Sequence, residues 1–275
     1  IMYATNLVNY GNTYIVRSSN SGESWSFSIL AAGRRGELAV TPADPSVVYL
    51  LSANSGGGVF GVYKSTDSGA SFNVVNSGSP AGMLGYYTNG SGGSGGQGSY
   101  DWCIAADPSN ANTVFIGGVT TWKSTDGGVS FIANTNWTSS STYNISGVPV
   151  VHADKHALIY QNSTTLFEGN DGGIYKTTTG GTSWTDLSNG LVISQLYRIG
   201  VSQTVPTTVL TGLQDNGTKL FSGGFWTDPK GGDGMECIVD YTNAQYMYAT
   251  YVQGQISRST NFGSSFPTNI SALIS

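Results

Sequence analysis

This sequence predicts an all-β fold, a β-propeller of four-stranded antiparallel blades, on three observations. An eight-residue segment ending in an aromatic recurs along the chain. The recurrences fall roughly 40–60 residues apart, the length of one propeller blade. The composition is that of short strands and turns: 10% of the 275 residues are charged, while Gly numbers 39 and Tyr 16. Little Lys and Glu beside much Gly, Ser, Thr, Asn and aromatic disfavours helices, and a chain of this length buries a substantial core.

The recurring segment reads SSNSGESW (18–25), STDSGASF (65–72), STDGGVSF (124–131), TTTGGTSW (177–184) and STNFGSSF (259–266). Every copy keeps a glycine three residues before the aromatic (Gly22, Gly69, Gly128, Gly181, Gly263) and a serine just before it. The third position varies as Asn20, Asp67, Asp126, Thr179 and Asn261. A general acid or nucleophile does not exchange with Asn or Thr, but a side chain that caps a turn does. Asp126 is therefore read as holding a turn. The glycine fits a backbone position with positive φ, and the aromatic is expected to plug the space beneath the hairpin.

The closing aromatics are Trp25, Phe72, Phe131, Trp184 and Phe266, and the wide last gap holds KLFSGGFW (219–226), a decayed copy ending at Trp226. About six blades are thus expected, as a single domain over residues 1–275 that is a fragment of a longer chain and can itself be part of a larger propeller. Arg17, Lys64, Lys123, Lys176 and Arg258 stand eight residues before the closing aromatic, with Lys219 seven before Trp226; a solvated strand residue suffices to explain that position. One blade reads in full: GELAVTPADP as strand and turn, SVVYLLSA, GVYKST, the repeated turn, then SFNVV. The first-strand turn recurs in AADPSNAN (105–112) and VDYTNAQ (239–245). The opening IMYA reads as a second strand, so the first blade lacks its first; either the chain was cut from a longer protein, which is preferred, or the terminal SALIS closes the ring.

These turns resemble the Asp-box, or BNR, repeats of sialidases, sortilin-type receptors and xyloglucanase-type glycoside hydrolases, over essentially the whole chain. HALIYQNSTTLFEGNDGGIYKTTTGGTSW, with GLQDNG and GGDG, is similar to the sortilin-like and xyloglucanase-like propellers of large secreted bacterial proteins. The arginine triad and Phe-Arg-Ile-Pro segment of sialidases are not evident. The resemblance implies an extracellular or cell-surface location and other domains in a longer secreted chain.

Strand order sorts the loops. Turns between strands one and two and between three and four lie on one face; two-to-three loops and blade entries lie on the other, where propellers bind ligands. Arg34, Arg35, Lys155 and Lys230 fall in entries and Arg198 in a first strand, with Asp101, His152, Asp154, His156, Asp233 and Glu236 in or near entries. Asp171 and Asp215 occupy equivalent two-to-three loops. Glycoside hydrolysis needs paired carboxylates, one kept protonated and one ionised, so Asp171, Asp215 and Asp233 are the catalytic candidates, tuned by His156; Asn-Asp-Gly and Gly-Asp-Gly are also turn sequences in their own right. No cofactor is expected, though these carboxylates and loop carbonyls could hold calcium without EF-hand spacing. His152 and His156 on a loop-to-strand junction do not make a zinc site.

Two inserted entry loops carry aromatics suited to stacking on sugar rings: residues 76–102 with Tyr86, Tyr87, Tyr100 and Trp102, and residues 134–156 with Trp137 and Tyr143. The ligand-binding candidates are His156, Arg34, Arg35, Tyr100, Trp102 and Trp137; packing of the long loops explains these rings equally well. The net charge of −5 leaves no basic stripe for nucleic acid, no run approaches a membrane span, and Cys103 and Cys237 read as buried free thiols. Two functions stay open: a module binding polysaccharide or protein ligands, which leads, and a xyloglucanase-like hydrolase. The latter resemblance implies two propellers forming one cleft, and one is visible.

Overall fold

The computed structural model describes residues 1–5, 11–31, 33–140, 142–191 and 194–271. The chain divides into two compact units, Ile1–Gly190 and Leu191–Ser275. The first unit holds four sheets. One joins β1 (Met2–Thr5), β2 (Thr13–Ser18) and β3 (Ser26–Ala31); the next joins β4 (Gly36–Val40), β5 (Val48–Ala53), β6 (Val59–Ser65) and β7 (Asn73–Asn76). The third joins β8 (Cys103–Ala106), β9 (Val114–Gly117), β10 (Thr121–Ser124) and β11 (Ile132–Ala133), and the fourth β12 (Lys155–Tyr160), β13 (Leu166–Asn170), β14 (Gly173–Thr177) and β15 (Thr185–Asp186). The second unit holds two more: β16 (Leu196–Val201), β17 (Val209–Leu213), β18 (Gly217–Ser222) and β19 (Phe225–Lys230), then β20 (Cys237–Val239), β21 (Met247–Tyr251), β22 (Gln255–Ser259) and β23 (Thr268–Asn269).

Each sheet is an antiparallel meander in chain order, so the chain is a β-propeller with six blades described. The first sheet has three strands, and its repeated turn lies between β2 and β3; β1 therefore stands where a second strand would, as IMYA predicts. Ala272–Ser275, most of the terminal SALIS, lie outside the described residues. Among the described residues no helix is long and apolar enough to cross a membrane.

Blades two and three pack on each other through Tyr49, Leu51, Val62, Ile104, Ile116, Trp122 and Phe131. Phe115, Leu158 and Leu166 continue the core into blade four. β5, β8 and β9 are buried at every position, which is why their sequences run apolar instead of alternating. Each large side chain so buried contributes about 1.5–3 kcal/mol. Cys103 and Cys237 are buried free thiols, as expected.

The repeated turn is held by two side chains. In STDGGVSF the buried Ser124 hydroxyl accepts the Gly128 N–H at 2.9 Å and donates to Asp126 Oδ1 at 2.8 Å. Asp126 then accepts the Ser130 N–H (2.9 Å) and Ser130 hydroxyl (2.5 Å). Those bonds, the Ser130 hydroxyl first, lower the Asp126 pKa to about 2. Asn20 and Asn261 make the same pattern with Ser24 and Ser265, the amide Nδ2 replacing the second carboxylate oxygen as partner of the serine hydroxyl. The first position, Ser or Thr, is the constant element: Ser18, Ser65, Ser124, Thr177 and Ser259 are all buried, and each accepts the N–H of the positive-φ glycine. The turn reading of Asp126 follows from its bonds.

Two expectations need correction. The repeated basic residue is more than a solvated strand position. Arg17 Nε donates to Ser68 O (2.7 Å), Lys64 Nζ to Asn112 Oδ1 (3.0 Å) and Lys123 Nζ to Gly180 O (2.8 Å), each partner lying in the next blade. In blades one to three the position joins neighbours. Nor do all the closing aromatics plug their hairpins: Phe131 is 6% exposed, but Trp25 and Trp226 are 44% and 59% exposed. In blade five the turn has shrunk to Gly223–Gly224, so Trp226 sits within β19 opposite Phe221 and has no loop above it.

Candidate ligand-binding site

The sorting of loops holds within the first unit. First-strand turns meet repeated turns, as in Gly127 N–H to Asn112 O and Ser68 N–H to Ser46 O. Two-to-three loops meet blade entries, as in Asn54 Nδ2 to Ser94 O and Lys155 N–H to Gly118 O. The Gly/Ser-rich entry loop is packed backbone against backbone: a Cβ on Gly57 would stand 2.1 Å from Gly96 O. Met83 and Leu84 anchor the same loop in the core.

That anchoring delivers Tyr100 to Asp171. The Tyr100 hydroxyl donates to Asp171 Oδ2 at 2.8 Å, and His156 Nε2 lies 2.7 Å from Asp171 Oδ1. The Tyr100 and His156 rings meet edge-on, 5.1 Å apart. His156 arrives there through a β-bulge: Lys155 pairs with Asn170 and Ala157 with Gly169, leaving His156 as the extra residue. A bulge of this kind re-aims a side chain out of the ladder. Tyr100 is 44% exposed, and the His156 and Asp171 side chains are 40% and 15% exposed.

Beneath this patch lie carboxyl groups that sequence reasoning noted without selecting. Asp101 is fully buried, and among the described residues its side-chain oxygens have no hydrogen-bond partner. Burial, with the charges of Asp154 and Asp171, pushes its pKa up to about 8. Asp154 is buried with a left-handed φ of 62°, receives Gln97 Nε2 at 2.9 Å, and is also raised by burial. Lys155 is sealed, donating to the carbonyls of Val119, Val151 and His152 and standing 3.7 Å from buried Glu168; it braces the start of β12 and is not a loop side chain. Asp101 and Trp102 precede β8, outside the ladder, and no local sequence signal marks that both turn inward.

Trp102 corrects the sugar-stacking expectation. It is 2% exposed within the core of blades two and three, with the Arg35 guanidinium 5.5 Å from its ring centroid. Arg35 also reaches Tyr100 O at 3.5 Å, so it covers Trp102. Arg34 is half-buried, its N–H on Ala53 O. Trp137 is half-buried and joins the two inserted loops: its Nε1 donates to Tyr86 O at 2.7 Å, and its ring meets Tyr86 and Tyr143. His152 lies against Gly172, whose added Cβ would meet its ring at 2.3 Å.

In the second unit, Asp215 takes a left-handed φ of 56° and its N–H donates to Asp233 Oδ1 at 2.9 Å. Asp233 thereby staples the Asp215 loop.

No family model matches the chain, and no curated protein matches it. Among solved structures it is similar to the GH74 enzyme of Niastella koreensis (19% identity, covering 94% of this chain and 43% of that one, TM-score 0.43). It is similar too to the GH74 xyloglucanase of Xanthomonas campestris (14%, 98% and 46%, TM-score 0.44) and to YCF48 bound to D1 peptide (11%, 93% and 75%, TM-score 0.43). The chain spans less than half the length of the two GH74 enzymes.

Proposed function

We propose that this chain is a binding module of a secreted or cell-surface protein, of the Asp-box type its turns resemble, and that it takes glycan or protein ligands at the Tyr100–His156–Asp171 patch. The observation that carries this reading is an acceptor, Asp171, fixed between two exposed rings that can also donate. Such a group offers directional hydrogen bonds and ring faces to a ligand without moving. The hydrolase alternative needs a protonated carboxyl that touches the glycosidic oxygen. Asp101, whose pKa burial pushes up to about 8, is fully enclosed and does not reach a bound sugar.

A glycan-array screen paired with a hydrolysis assay on soluble β-glucans tests the proposal, using the whole chain, Asp171→Asn and Tyr100→Ala. Saturable binding weakened about tenfold or more by either change, with no turnover, is the expected result. Turnover of a β-glucan that Asp171→Asn abolishes would replace binding with catalysis.

A further inference from the structure

We propose that the second unit carries a separate ligand site, a cleft for one or two rings of a neutral sugar between Tyr197 and Tyr251. The cleft has a volume of about 350 Å³ and is formed by β16, the entry to β20 and the turn after β21. That volume lies at the low end of the ~300–1,000 Å³ of small-molecule sites, so the occupant is small.

Both rings are fixed before any ligand arrives. Tyr197 is the extra residue of a β-bulge, since Leu196 pairs with Leu213 and Arg198 with Gly212; its hydroxyl donates to Gln214 Oε1 at 3.0 Å. The bulge sits where His156 sits in β12, near the start of a blade's first strand, and Gln214 precedes Asp215, the counterpart of Asp171. Blade five therefore repeats, with different chemistry, the device that aims His156. Tyr251 is held on its other side by Gly232, whose Cβ would come within 2.5 Å of the ring, and by Lys230 Nζ at 6.0 Å from the centroid.

The polar group at the cleft is the ion pair of Arg198 Nε and Glu236 Oε2 at 3.3 Å. The two charges offset each other, so the site selects neither an acid nor a base. They set a donor fork beside a carboxylate acceptor, which matches neighbouring hydroxyls that each donate and accept. The apolar C–H face of a pyranose suits the tyrosines. A neutral sugar satisfies both demands at once.

Titration of the 15N-labelled whole chain with cellobiose, maltose, lactose and galacturonic acid, followed by NMR, tests the site. Saturable shifts of the Thr250–Gly254 amides with at least one disaccharide are expected. Tyr251→Ala should abolish them, and Glu236→Gln, at an exposed position that leaves folding intact, should weaken them about tenfold. The proposal is overturned if no disaccharide gives a saturable shift there, if galacturonic acid binds more tightly than all three, or if Glu236→Gln leaves affinity unchanged. Shifts confined to Tyr100 and His156 would overturn it while supporting the first-unit site, so the two readings fail separately.

Discussion

Blade three and blade five follow the same strand plan and bury their strands very differently. In blade three, β8 and β9 are buried throughout, the repeated turn is complete, and Phe131 closes it from below. In blade five, β16 is exposed over most of its length, β19 exposes Phe225 and Trp226, and the turn is a pair of glycines. The hairpin thus does not need the eight-residue turn in order to form. What the long turn adds is a loop, held by its buried hydroxyl and acidic or amide cap, with room beneath it for an aromatic such as Phe131; the turn alone does not bury the ring, since Trp25 stays 44% exposed under a complete one. Where the loop is lost, the ring moves into the strand and faces outward.

The comparison breaks most readily at the aromatics. Phe131→Ala should lower unfolding free energy by roughly 3–5 kcal/mol in urea titration. Trp226→Ala should cost at most about 1.5 kcal/mol, the value of its one ring partner. Similar losses would mean that the decayed turn still closes a core.

Next in size is a pH effect confined to the first unit. Asp101 has a folded pKa raised to about 8, so its stabilising contribution is complete below the unfolded value near ~4 and is lost as pH rises through about 8. Stability of the first unit should fall across that window, and Asp101→Asn should flatten the fall. An identical slope in the variant would assign the titration elsewhere.

A smaller effect belongs to the basic position. Lys123→Met keeps the stem and removes the bond to Gly180 O, which should cost about 0.5–1.5 kcal/mol. Lys219 pairs at 2.7 Å with Asp228 of its own hairpin, so Lys219→Met should cost less, as exposed pairs do. The smallest effect is expected of Asp126→Asn, within about 0.5 kcal/mol at neutral pH, because Asn20 and Asn261 already hold the same turn. Loss of folding on that change would refute the interchangeability of the cap.

These contrasts also mark what the chain discloses before it is folded. The turn copies and the four strands of blade two were legible because glycine, serine and aromatic spacing are local properties. The loop faces followed from strand order alone. Trp102 was misjudged because a tryptophan in a Gly/Ser-rich loop looks the same whether it points out or in, and Met83, Leu84 and Arg35 decide that from distant positions. Asp101 was noted but not selected, since its raised pKa comes from enclosure and from Asp154 and Asp171, all set by tertiary contact. His156 was chosen for its chemistry; the bulge that aims it has no sequence signature.

The placement of the six tryptophans has an optical consequence. Trp102 and Trp122 lie in the first unit's core, whereas Trp226 is the one tryptophan of residues 191–275 and faces solvent. Blue-shifted, shielded emission therefore comes from the first unit. The difference spectrum between the chain and Trp226→Phe isolates a red, readily quenched signal belonging to the second. Trp25 in the first unit is exposed as well, so it is that subtraction, and not colour alone, that lets the second half be followed without a label.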